Sequence, residues 1–155
     1  MPSPKPNGLL FEKHSKLLID SFLKQTRRSM PKIQSGEEVT PELLFLAHYA
    51  VVSHGAEQPP LFNYGNQTAL NLFELDWQSF TKLPSQKSAE PVTQTERDRL
   101  LARVSENGFI DDYQGIRISA SGKRFRIEEA VVWNVVDESE TYRGQAALLT
   151  RWAYL

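Results

Sequence analysis

Apolar positions recur along this chain with two periods, and the period changes near residue 108. Residues 9–30 carry Phe11, Leu18 and Phe22 on one helical face, with Leu10, His14 and Leu17 beside it, while Glu12, Lys13, Lys16 and Lys24 point away. That spacing predicts an amphipathic helix, which Pro31 ends. Residues 31–39 are polar and predict a loop. Thr40-Pro41-Glu42 offers a hydroxyl cap, a proline at the first helical position and an acid in the first turn, so a short helix is expected over about 41–48. Small and β-branched residues at 50–53 predict a strand that ends at His54-Gly55, and residues 61–64 a second one closed by Gly65. Gln58-Pro59-Pro60 between them is a turn. Asn66 caps a helix that turns Ala69, Leu70, Leu72 and Phe73 inward, and Asp76 caps another bearing Trp77 and Phe80, stopped by Pro84. Residues 85–92 are loop-like. The capping box Thr93-x-x-Glu96 opens a helix over 94–106 with Leu100, Leu101 and Val104 inward, and Asn107-Gly108 stops it. From there the period is two. Strands are predicted over 109–119, with an irregularity at Gln114-Gly115, over 123–136 and over 142–152, divided by Ser121-Gly122 and by the polar turn 137–141.

The strand 123–136 is the most telling element. Simple alternation puts Phe125, Ile127, Val131, Trp133 and Val135 on one face and Ala130, Val132 and Val136 on the other. Both faces are apolar in its second half, so both should be covered. One would line a pocket beneath the short central helices; the helix 9–30, or a partner subunit, would cover the other. Two strands, three or more helices and then three antiparallel strands is the order of a PAS-type fold. The expected class is therefore α+β, a PAS-like antiparallel five-stranded sheet with short helices on one face and an N-terminal helix that covers the other. Residues 1–8, with three prolines, form a tail; residues 9–155 form a single domain, its sheet-and-helix core spanning about 41–155.

Composition changes this picture only by exclusion. The 155 residues are 40% hydrophobic and 24% charged, with a net charge of -1 and a pI near 6.3, so nothing favours nucleic acid or anionic membrane as a partner. Arg27-Arg28 complements a helix C-terminus. The absence of cysteine removes disulfides, thiolate nucleophiles, Cys-ligated zinc, iron–sulfur clusters and any covalent cysteinyl–flavin adduct. No apolar run suits a signal core or a membrane span, which points to the cytoplasm.

Five segments carry a family resemblance: V-V-S-H-G-A-E at 51–57, F-N-Y-G-N-Q-T-A-L at 62–70, G-F-I-D-D-Y at 108–113, R-I-S-A-S-G-K-R-F at 117–125 and A-V-V-W-N-V-V-D-E at 130–138. Together they resemble the MEKHLA domain family, from about Leu10 to the C-terminus. That family occurs as single-domain bacterial and algal proteins and as the C-terminal region of some plant homeodomain–leucine zipper regulators. The resemblance implies a PAS-like fold and a sensing or regulatory role. It supplies no ligand and no catalytic residues, and without a homeodomain or zipper alongside, DNA binding is not carried over.

Candidate chemistry is sparse. His54 sits where a strand exits, three residues before Glu57; the pair suits titration near neutral pH or ligand binding, and equally a structural imidazole holding the loop. His14 and His48 read as packing residues on helices, without metal-ligand spacing, and the helix 94–106 has no histidine for haem, so metal and haem are not expected. Asn63, Tyr64 and Asn66 can present amides and a phenol to a ligand, or serve as turn and capping residues, with Asn66 the cap. Trp77, Phe109, Tyr113, Phe125 and Trp133 form an aromatic set that suits a flat ring-shaped ligand such as a flavin, or simply a packed core. The pocket candidates are thus His54, Asn63, Tyr64, Trp77, Phe109, Tyr113, Phe125 and Trp133. Asp111 and Asp112 are adjacent on a strand and point to opposite faces, so they cannot act as an acid–base pair. Ser53-His54 diverges likewise, and neither a nucleophile elbow nor a phosphate loop is present. Arg97, Arg99 and Arg103 read as a solvated helix face, and Arg117, Arg124 and Arg126 as strand-surface charges.

These readings predict a non-enzymatic sensory or regulatory domain. It binds a small aromatic or apolar molecule, relays its state through helix–sheet contacts, and homodimerises through the N-terminal helix and outer sheet face. The alternative is an interaction or dimerisation module whose core is filled by side chains. A third reading is a small enzyme using His54 with Glu57 or Asp112.

Overall fold

The computed structural model describes residues 8–32, 38–89 and 94–155. The expected tail, the middle of the 31–39 loop and the Thr93 capping box fall outside these residues. Helix α1 (Leu9–Thr26) is shorter than its apolar pattern, because Arg27 turns left-handed (φ 59°) and returns its N–H to Leu23 O. Met30 therefore reaches the core from beyond the helix, at 3% exposure. Helix α2 (Pro41–Leu46) starts as read, with Thr40 Oγ1 accepting from Leu43 N at 3.2 Å. It ends two residues early where Ala47 is extended, and His48 is exposed instead of packed.

Strands β1 (Ala50–His54) and β2 (Phe62–Gly65) precede helices α3 (Gln67–Phe73) and α4 (Trp77–Phe80). Asn66 and Asp76 cap the two helices through Ala69 N and Ser79 N. A single 3-10 turn, Ser85–Ser88, occupies part of the loop before helix α5 (Gln94–Asn107). Only a narrow face of α5 is used: Val104 is buried, but Leu101, expected inward, is 44% exposed. Strands β3 (Phe109–Ile118), β4 (Arg124–Val136), β5 (Tyr142–Leu149) and β6 (Arg151–Tyr154) complete the chain. The sheet is antiparallel throughout, in the order β2-β1-β5-β4-β3, with β6 also on β4. The β3–β4 register slips between Ile110, Tyr113 and Gly115, where the glycine permits it.

Alternation does not run unbroken along β4. Glu129 takes the left-handed conformation (φ 52°), and on the facing ladder Thr150 separates β5 from β6. The pairing resumes in step, Glu128↔Arg151 before the break and Val131↔Leu148 after it. The side-chain sense, however, is reversed. Phe125 stacks edge-on against Phe73 of α3, whereas Trp133 meets Phe22 of α1 and donates Nε1–H to Ser21 Oγ at 3.1 Å. The expected single face of Phe125, Ile127, Val131, Trp133 and Val135 is thus divided between the two sides of the sheet. A left-handed residue rotates the strand about its axis, and no apolar count along the sequence registers that.

Helix α1 crosses the outer face as a diagonal strap. His14 reaches Ser53 of β1 at one end, Ser21 and Phe22 pack on Trp133 in the middle, and Arg28, just past the helix, pairs with Asp111 and covers the Phe109 ring at the other end.

Candidate functional site

The two faces of β1 and β2 carry two different concavities. Val52 and His54 point beneath the central helices, together with Phe62, which stacks on Phe80 with ring centroids 4.2 Å apart. With Ile127, Val132 and Leu149 they border a cavity of about 110 Å³, whose polar groups come from Ser53, His54, Ser85, Tyr113, Arg117 and Gln145. A water occupies roughly 30 Å³ and drug-sized ligands need ~300 Å³ or more, so this space suits a few waters or a solute of a few heavy atoms. Arg117 is partly committed here, donating to Ser85 O and Ser88 Oγ at 2.9 Å each. Its reading as a strand-surface charge is corrected: it faces inward beneath the helices.

The second concavity lies on the α1 side. An irregularity in the β1–β2 register between Ser53 and His54 turns Tyr64 to the same side as Ser53 while Phe62 stays opposite. The result is a groove of about 540 Å³ between the first half of α1, β2 and α4. Its walls are the rings of Phe11, Tyr64 and Trp77: Phe11 stacks on Tyr64 at 6.0 Å, and Trp77 stands edge-on to both, at 5.9 and 5.6 Å. Leu10 and Leu17 extend the apolar surface, and Lys13, His14 and Asn63 supply the polar groups.

A directional hydrogen-bond chain runs under this groove. Ser53 gives its one hydroxyl proton to Asn63 Oδ1, so it can only accept from His14 Nε2, 3.0 Å away. With the Asn63 amide assigned this way, neutral His14 carries its proton on Nε2 and leaves Nδ1 a bare acceptor. Burial holds the His14 pKa below its ordinary value, partly offset by hydrogen bonding with Asn63. Tyr64 is fully buried and its hydroxyl finds no hydrogen-bond partner among the described residues. The neighbouring Ser15 hydroxyl gives its proton to Phe11 O, so toward Tyr64 it can only accept. Burial pushes the Tyr64 pKa far up.

The eight pocket candidates therefore fall into separate places. His54 and Tyr113 line the small inner cavity. Asn63, Tyr64 and Trp77 meet at the outer groove. Phe125 is packed between Phe73 and Tyr154, Trp133 lies under α1, and Phe109 lies under Arg28. The aromatic set does not converge on one ring-shaped site. His14 joins the groove although its sequence context suggested packing alone; its place on the apolar helix face was visible, but its partner Ser53 is 39 residues away. The carboxylates of the enzymatic reading are committed elsewhere, Glu57 accepting from Leu61 N at 2.7 Å and Asp112 pairing with Arg103 at 2.7 Å. Asp111 and Asp112 do diverge, the first to Arg28 of the strap and the second to α5. Among the described residues no cluster of three or more His, Asp or Glu side chains is placed to hold a metal. No described helix is long and apolar enough to cross a membrane.

Comparison with known proteins gives two kinds of match. A model of the MEKHLA domain matches residues 12–154. The homeobox-leucine zipper protein ATHB-9 of Arabidopsis thaliana is 25% identical over 96 residues, and HOX9 of Oryza sativa subsp. japonica 21% identical over 106. These matches cover 62% and 68% of this chain but only 11% and 13% of those proteins. Among solved structures, the PAS domain of a protein from Colwellia psychrerythraea superposes with a TM-score of 0.61 at 14% identity, over 70% of this chain and 90% of that one. The light-state dimer of the fungal blue-light photoreceptor Vivid gives 0.55 at 10% identity, over 96% and 97%. At such identities the likeness establishes the fold alone: an open antiparallel PAS-like sheet with short helices.

Proposed function

The chain belongs to the MEKHLA domain family, and from that premise we propose that it is a non-enzymatic sensory domain whose output is the seating of α1 on the outer face of its sheet. One observation carries the reading: the same strands serve both faces with neighbouring side chains. On β1, Val52 and His54 line the inner cavity while Ser53 holds His14 of α1. On β4, Val132 faces inward while Trp133 seats Ser21 and Phe22. A small molecule that favours one arrangement of these strands biases α1 by its differential affinity for the two states, which is a population shift. The exposed Leu9, Leu10 and Leu23 of α1, at 66%, 85% and 51%, offer an apolar surface through which a second copy docks, as the Vivid light-state structure is itself a dimer.

Amide hydrogen exchange on the natively purified protein tests this. Any compound that raises the melting temperature is expected to change protection along α1 more than along α3. Unchanged α1 protection across all stabilising compounds would remove the sensory reading. The small inner cavity also supports a pure interaction module. In that case Leu10→Glu with Leu23→Glu shifts a sedimenting dimer to monomer while no compound alters α1.

A further inference from the structure

We propose that the groove beside the first half of α1, and not the cavity beneath the central helices, is the ligand site of this domain, and that it takes a small aromatic carboxylate. The inference rests on the sensory reading above and names its ligand. Size separates the two spaces: about 540 Å³ lies within the range of small-molecule sites, and about 110 Å³ does not. The body of the ligand follows from the walls. Tyr64 is buried beneath Phe11, but Trp77 is only half-buried, and its open ring surface with Leu10 and Leu17 beside it takes a flat aromatic body.

The polar end follows from the donors. Ser53 occupies Asn63 Oδ1, so the end of the amide left for the groove is its NH2, with two donors. Lys13 stands at the rim with no ion-pair partner among the described residues, and no acidic side chain lines the groove. His14 offers Nδ1, which becomes a donor once a nearby anion draws a proton to it. A planar acceptor with negative charge satisfies all three; an ammonium brings only donors, and a neutral alcohol brings no charge to meet Lys13.

The groove is also placed to move the strap. The far end of α1 is clasped by Lys24–Glu140 and Arg28–Asp111, at 3.0 and 2.9 Å. Among the described residues the near end has no such ion pair: Gly8, at the N-cap, gives no side-chain cap, and the helix lies over the Tyr64 hydroxyl. Lifting the first two turns would let that hydroxyl reach water, so a ligand wedged beside His14 and Trp77 acts on the end of α1 held by packing and one imidazole.

Titration calorimetry with benzoate, cinnamate and 1-naphthoate, and with 1-naphthamide as the uncharged isostere, tests the proposal. At least one carboxylate is expected to bind, and 1-naphthoate at least tenfold more tightly than 1-naphthamide, which keeps its shape without the charge. Lys13→Gln, an exposed change that leaves the fold intact, weakens binding about fivefold. Asn63→Asp keeps the acceptor for Ser53, replaces the amide donors by a carboxylate and abolishes binding. Leu100→Phe, which narrows the inner cavity, leaves the affinity unchanged. Failure of all three carboxylates to bind overturns the proposal. So does binding that survives both groove variants or is lost in Leu100→Phe, and in that case the sensory reading still stands. Binding in the groove with no change in α1 exchange sinks the sensory reading instead.

Discussion

Asn66 is fully buried, yet both ends of its side chain are used. Oδ1 accepts from Val51 N and Ala69 N at 3.0 and 3.1 Å, and Nδ2 donates to Leu44 O and Tyr49 O at 3.0 and 2.8 Å. The cap is legible in the sequence; the three other bonds, which tie the end of α2 to β1 and α3, are not. Asn66→Ala takes the side-chain partner from Val51 N, Ala69 N and Tyr49 O and should cost ~3 kcal/mol or more in urea unfolding, well above the ~1 kcal/mol of an ordinary cap. His14 sets a pH dependence. Its folded pKa lies below the unfolded 6.5, so the unfolded chain binds the proton more readily. Its contribution is fully present above pH 6.5 and is lost as pH falls through the folded value. His14→Gln should flatten the change in urea midpoint between pH 7.5 and pH 5.5; a midpoint that falls as steeply in the variant would reject the assignment.

One turn and one close strand contact hold the elements to one another. Glu74, left-handed at the end of α3 (φ 59°), receives Ser119 Oγ at 2.7 Å, Ser121 N at 3.2 Å and the Ser121 hydroxyl, and pairs with Lys123 at 3.3 Å. These bonds hold its pKa down at about 2, with the Ser121 and Ser119 hydroxyls the largest causes. The β3–β4 turn is thereby fastened to α3 at neutral pH. The fastening is present above the unfolded value of 4.5 and is lost as pH falls through about 2. Glu74→Gln should remove that acid-side loss, read as thermal unfolding between pH 5 and pH 2. At the other end of the sheet, Gly144 has φ 135°, and a Cβ there would collide with the backbone carbonyl of His54. Gly144→Ala should destabilise by about 3 kcal/mol or more, because neither backbone can yield without parting β5 from β1. The same variant at Gly122, where the space is open, isolates the strain of φ alone.

At the scale of the molecule, one helix and one sheet share the load unevenly. Among the described residues the α1 strap is bonded by one imidazole at its near end and by two exposed ion pairs at its far end, with Trp133 and Phe22 between them. Amide exchange should therefore run faster over the first two turns of α1 than over residues 18–24, and a uniform rate would argue that the helix leaves as a unit. The sequence by itself determined the order of the elements, the caps Thr40, Asn66 and Asp76, the stop at Gly108 and the divergence of Asp111 from Asp112, because each depends on a few adjacent residues and on the period of helix or strand. Only the tertiary structure decided which side chains share a space. Glu129 rotates β4 and the β1–β2 irregularity turns Tyr64, so aromatics counted on one face stand on two. Backbone rotation at a single residue changes the facing of everything beyond it, and the hydrophobic pattern, apolar on both faces, offers no signal of which way it went.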